Sequence, residues 1–127
     1  MKANPVGWFE IPVINMDRAV RFYESVFKVK LSRNLFGPLE MAWFPQAETD
    51  SGSTGSLVLN REYYKPSTDG VLLYFTAQSG DLSIELGRVE KAGGKILIPR
   101  RQISDEVGFM AVVLDTEGNR IALHSRK

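Results

Sequence analysis

The sequence predicts an α+β protein built from two βαβββ modules in tandem, and three observations carry that expectation. Residues 17–27 and 81–92 each show apolar side chains at three- and four-residue spacing, the mark of a helix with one buried face. The stretches around them are short, rich in β-branched and aromatic residues, and bounded by Gly, Pro and Asn, as strands are. The order of these elements then restarts near residue 70. Two such units, each with one helix covering one sheet face, leave the other face of each sheet in need of a partner, and facing sheets enclose a cleft suited to a small molecule.

Taken in order, residues 6–13 read as a strand closed by Pro12 and Asn15. A helix over 17–27 follows, with Ala19, Val20, Tyr23, Val26 and Phe27 on one side, Arg18, Arg21 and Glu24 on the other, and Asn15 or Asp17 as its cap. Strands over 29–35 and 39–44 flank the breaker Gly37-Pro38, and a polar loop over 45–55 leads to a strand over 56–60. Residues 61–69 have no period and serve as a linker. The second module opens with a strand over 70–77 and a helix over 81–92, whose stripe is Leu82, Leu86, Val89 and Ala92. Gly93-Gly94 stops that helix, since a residue free to turn left-handed fits just past a helix end. Strands over 95–99, 109–114 and 120–124 complete the module, with a loop over 100–108. The domain is thus a single one over 1–127: module one 5–60, linker 61–69, module two 70–127.

Composition narrows the function. The chain has no cysteine, which excludes disulfides, thiolate metal sites and thiol nucleophiles. Its 16 Lys and Arg balance 15 Asp and Glu, which gives no extended basic field for nucleic acid. Its apolar runs are strand-sized, so no membrane partner is expected and a cytoplasmic location is the default. Residues 115–124 hold a Gly118-Asn119 turn between two apolar strands, and alternation along the second puts Ile121 and Leu123 on one face, Ala122 and His124 on the other. His124 is the only histidine in the sequence.

The repeat aligns Gly7-Trp8 with Gly70-Val71 at an offset of 63, and Leu57-Val58-Leu59-Asn60 with Ile121-Ala122-Leu123-His124 at an offset of 64. With the motifs Met16-Asp17-Arg18-Ala19-Val20-Arg21-Phe22-Tyr23, Val89-Glu90-Lys91-Ala92-Gly93-Gly94-Lys95 and Asp115-Thr116-Glu117-Gly118-Asn119-Arg120-Ile121, the whole chain resembles the vicinal oxygen chelate superfamily. That group includes glyoxalase I, extradiol dioxygenases, fosfomycin-modifying enzymes and bleomycin-binding resistance proteins. The resemblance implies a glyoxalase-like cleft, a small-molecule ligand and a homodimer whose cleft is completed across two chains.

It also implies four metal-ligand positions, in the first and last strands of each module. These fall on Trp8, Val58, Val71 and Ala122, none of which can bind a divalent ion, so no metal and no cofactor is expected. Two residues further along stand Glu10, Asn60, Leu73 and His124, on the same strand faces by parity. Those eight residues are the candidate ligand-binding set, and Glu10 and His124 the candidate acid–base pair. Set against this, a lone histidine near a C-terminus is as often a hydrogen-bonded surface residue as a catalyst. A shifted metal at Glu10 and His124 with Glu40 is a further alternative. Trp8 either stacks on a ligand or fills space, Trp43 lines the same wall if its parity allows, and Arg100-Arg101 sits at the rim. The sequence therefore supports a metal-free small-molecule binder. The alternatives are a lyase, isomerase or dioxygenase of the same superfamily, using a displaced metal or the Glu10 and His124 pair, and an interaction module with a vestigial cleft.

Overall fold

A computed structural model describes residues 2–49 and 51–127. The first module runs β1 (Phe9–Pro12), α1 (Met16–Phe27), β2 (Ser32–Phe36), β3 (Leu39–Trp43) and β4 (Gly55–Leu59). The second runs β5 (Leu73–Thr76), α2 (Leu82–Val89), β6 (Lys95–Ser104), β7 (Gly108–Leu114) and β8 (Arg120–Ser125). Each module forms one four-stranded sheet, in the orders β1-β4-β3-β2 and β5-β8-β7-β6, with the first strand parallel to the last. The two tandem βαβββ units are thus present as the sequence implies.

Both helices begin where side-chain chemistry permits. Asn15 caps α1 by accepting the Arg18 amide at 3.0 Å, and Asp81 caps α2 by accepting the Ser83 amide at the same distance. Lys28 ends α1 in a left-handed conformation, φ 55°, which delays the next strand to Ser32. At the end of α2 the backbone leaves the helix after Val89, and a Cβ on Gly94 would stand 2.6 Å from the Phe22 ring and 2.7 Å from the Leu114 carbonyl. Only glycine lets the two modules approach there. Phe22, Tyr23 and Val26 from α1, Leu82 and Val89 from α2, and Leu57, Val113, Ile121 and Leu123 from the strands are buried in one core that both modules share. At about 1.5–3 kcal/mol per fully buried large side chain, this cluster dominates the stability of the chain.

Two expectations need correction. Residues 100–108 are mostly not a loop: β6 continues to Ser104 and pairs with β7 through three shifts of register. The strand survives Pro99 because β6 is a sheet edge, where a missing amide donor leaves no partner unsatisfied. The repeat offset at the first strands is also one residue longer than supposed, since β1 begins at Phe9 and β5 at Leu73, 64 residues on. A slip of one residue reverses every side chain on a strand.

The turn between β7 and β8 locks the modules together. Asp115 Oδ1 accepts the amides of Glu117 and Asn119 at 2.8 Å, and its Oδ2 accepts the buried Tyr23 hydroxyl at 2.6 Å. Glu117 reaches across to the start of α1, where Oε1 accepts the Ile14 and Asn15 amides at 2.8 Å and Oε2 accepts Arg18 Nε at 2.8 Å and the Thr116 hydroxyl at 2.9 Å. Asn119 donates to the Pro12 carbonyl at 2.8 Å and accepts the Ser67 amide at 3.2 Å. Burial alone would push the Glu117 carboxyl up, but the hydrogen bonds from Arg18, Asn15, Ile14 and Thr116 outweigh it and hold the group below its ordinary value. A depressed carboxylate contributes stability that is complete above the unfolded-state value and is lost as pH falls through the folded one. Glu117→Gln is therefore expected to cost about 2–3 kcal/mol at neutral pH in chemical denaturation, and to flatten the decline in stability between neutral and acid pH. An unchanged acid slope would show that the clamp carries no linked proton.

Candidate functional site

The face of the first sheet that points away from the helices carries Glu10, Pro12, Met41, Trp43, Ser56 and Val58, as their register pairs require. Phe9 and Phe44, next in sequence, pack on the core instead. Trp8 precedes β1 and joins this face, its ring meeting Trp43 edge-on at 5.4 Å between centroids. Trp43 in turn stacks on Phe36 at 5.5 Å with the planes 4° apart. Ser56 and Val58 on this face are fully buried and Met41 nearly so, yet the aromatic rings remain accessible: Trp8 is 40% exposed, Trp43 36% and Phe36 49%. Filling alone would have buried them. The result is an aromatic wall open to solvent on one side.

Polar groups edge this wall. The Tyr64 hydroxyl donates to Glu10 Oε1 at 2.7 Å, and that bond, with a lesser contribution from burial, raises the Tyr64 phenol above its ordinary range. Ser56 lies between Glu10 and Trp43 in the sheet, and its hydroxyl is buried without a hydrogen-bond partner among the described residues. Arg33 bridges Asp17 at 3.0 Å and Glu40 at 2.9 Å, so Glu40 is committed to an ion pair.

The second sheet presents Leu72, Met110, Val112 and Ala122 in a small apolar cluster of their own, with Ile98 against it. His124 lies on this face, level with Thr76 and Met110, and its Nε2 is 2.7 Å from the Val107 carbonyl. The imidazole thus ties β8 to the turn of the β6–β7 hairpin.

Against these positions the predicted site divides. Trp8, Glu10 and Val58 share one face, and Ala122 and His124 share the corresponding face of the other sheet. Leu73 does not belong with them: it pairs with Ile121 and packs on the common core, and the inward positions on β5 are Tyr74 and Thr76. Val71 precedes the strand and is 93% exposed, while Leu72 takes the place assigned to it. Both corrections follow from the one-residue error in offset. Asn60 spends its side-chain oxygen on the Glu62 and Tyr63 amides, at 3.0 and 3.2 Å, and so caps the turn after β4. Glu10 and His124 have separate partners, and no hydrogen bond joins them within the chain. Phe36 and Tyr64 belong to the wall but were missed, because ring stacking across a sheet leaves no signal in spacing.

Trp8, Val58, Leu72 and Ala122 offer no donor atom, and among the described residues no three His, Cys, Asp or Glu side chains are grouped to hold an ion. Nor is any helix among the described residues long and apolar enough to cross a membrane.

The Glyoxalase/Bleomycin resistance protein/Dioxygenase superfamily profile matches residues 6–123. The chain belongs to that superfamily. Similar solved structures include glyoxalase I from Zea mays, at 18% identity and TM-score 0.70, matched over 96% of this chain and 46% of that one. This chain therefore spans about half of the plant enzyme. A glyoxalase/bleomycin resistance protein from Albidiferax ferrireducens is matched at 14% identity and TM-score 0.71, over 98% and 100% of the two chains. TnmS3, an antibiotic binding protein from a Streptomyces species, is matched at 21% identity and TM-score 0.65, over 100% and 99%. At these identities the likeness is one of fold. No curated protein matches the sequence.

The orphaned hydroxyl gives a direct check on the wall. A buried donor without a partner costs about 1–3 kcal/mol, so Ser56→Ala is expected to leave the denaturation midpoint unchanged or raise it. A loss above about 1 kcal/mol would mean that Ser56 has a partner in solution.

Proposed function

We propose that this member of the superfamily binds a planar, mainly apolar small molecule against the wall of Trp8, Trp43 and Phe36, without a metal ion. The observation that carries the reading is the exposure of three contiguous aromatic rings, Trp43 meeting Trp8 edge-on and stacking on Phe36, on a sheet face backed by buried Met41 and Val58. Monomeric proteins rarely leave so much contiguous apolar surface open unless something covers it. A flat ring system laid on Trp43 gains stacking as well as burial, and Glu10 with Tyr64 supplies a polar group at the edge to orient it. The similarity in fold to an antibiotic binding protein supports a binding role. The candidate set from the sequence enters as Trp8, Glu10 and Val58 on this sheet, with Ala122 and His124 on the facing surface of a second copy.

That second copy is part of the proposal. Within one chain the helix faces of both sheets meet in a common core, so each sheet's other face is left without a cover. A homodimer that brings the first sheet of one protomer over the second sheet of its partner would close a cleft between them. A cytoplasmic location belongs with the same reading.

The test is a thermal-shift and tryptophan-fluorescence screen of planar aromatic compounds. A ligand at a hundred times its Kd stabilises by about 2.7 kcal/mol, a readily measured rise in Tm. Trp43→Ala is expected to weaken binding by at least about ten-fold, in line with an aromatic contact of 1–3 kcal/mol once lost burial is included. A library with no hit, or hits that ignore Trp43→Ala, would defeat the reading. Sedimentation equilibrium checks the dimer: affinity for the best ligand should fall as the protein is diluted below its dimer constant. A monomer that binds with full affinity would remove the second copy from the site.

A further inference from the structure

A second recess lies where the two sheets meet. Edge strands β1 and β5 do not pair with each other, and a cavity of about 400 Å³ opens between them, walled by apolar side chains that include Phe9, Leu73 and Ile121. Three charged side chains border it: Arg120, Lys65 and Glu10. None of the three forms an ion pair among the described residues. Glu10 accepts the Tyr64 hydroxyl at 2.7 Å. Arg120 is held by Nη2, which donates to the Gly70 carbonyl at 2.9 Å, and its Nε is buried with no partner among the described residues.

Arg120 is the informative residue. A guanidinium keeps its charge at any accessible pH and cannot shed the proton on Nε. A buried donor left unpaired is costly, and the cost is larger for a charged group. The guanidinium is also held by its Nη2 bond to Gly70, so a carboxylate entering the recess meets a cation already positioned at its border. Two positive charges and one negative leave a single positive charge around an otherwise apolar hollow. A phosphate dianion would find too few donors there, and a cation would meet Arg120 and Lys65.

We propose that the recess between β1 and β5 binds an amphiphilic monocarboxylate, its carboxylate drawn to the cations of Arg120 and Lys65 and its hydrocarbon body lying along Phe9, Leu73 and Ile121. The recess shares Glu10 with the edge of the Trp43 wall but uses none of its three rings.

Isothermal titration calorimetry with octanoate, octan-1-ol and octylammonium, each below its aggregation concentration, tests the assignment. Octanoate is expected to bind at least about ten-fold more tightly than octanol, as a charge-assisted hydrogen bond implies, and octylammonium more weakly than either. Arg120→Gln should bring octanoate down to the level of octanol. Val71→Glu changes a 93% exposed side chain at the rim, so the fold is not at stake. It should weaken octanoate and spare octanol. Equal affinity for the three probes, no binding of octanoate, or a carboxylate preference that survives Arg120→Gln would each overturn the proposal. If Arg120→Gln does not fold, Val71→Glu decides alone, and octanoate binding unaffected by that charge would overturn it.

Discussion

The arrangement of this molecule depends on one carboxylate. Glu117 stands in the tight turn of the second module, yet its acceptors are filled by the backbone and side chain at the start of the first module's helix. Those amides, of Ile14 and the cap Asn15, just precede the first turn of α1, where no carbonyl of the helix itself can satisfy them. A negative charge there is favoured by the helix dipole as well. Asp115 secures the turn from within and also holds the Tyr23 hydroxyl inside the shared core. Because one short segment caps a helix, closes a hairpin and seats a buried phenol, the relative pose of the two sheets follows from its geometry.

This pose decides which surfaces remain open. Once the helix-facing sides are joined in a common core, the opposite sides have nothing of the same chain to rest on. The first sheet meets this with large rings that shield Met41 and Val58 while staying accessible themselves, and the second with a compact patch around Ala122. The asymmetry is chemical as much as geometric. One side offers flat π surface bordered by a carboxylate and a phenol, the other small aliphatic groups bordered by an imidazole that is already engaged with a backbone carbonyl.

Much of this was legible in the sequence. Helical spacing gave α1, the Asn15 side chain gave its cap, and the restart near residue 70 gave the duplication, because periodicity and capping are local properties. What escaped was everything that depends on counting between distant segments. An error of one residue in the offset at β1 and β5 was enough to send Leu73 to the wrong face and to choose exposed Val71 over Leu72. Asn60 has the composition of a site residue, yet a turn of the backbone claims it. Glu117 carries the opposite lesson. Its place in a conspicuous motif marked it as notable, but only the fold reveals that its partners lie about a hundred positions earlier in the chain.

The outer strand β6 has a further consequence. Pro99 removes an amide from the middle of its open row, and three irregularities break its register against β7. An exposed strand with an intact row of donors and acceptors would be a template for a stranger's backbone, and for the polymers that grow from such contacts. Here the row is broken. Along this side of the second sheet, foreign chains are denied the continuous margin from which a fibril would start.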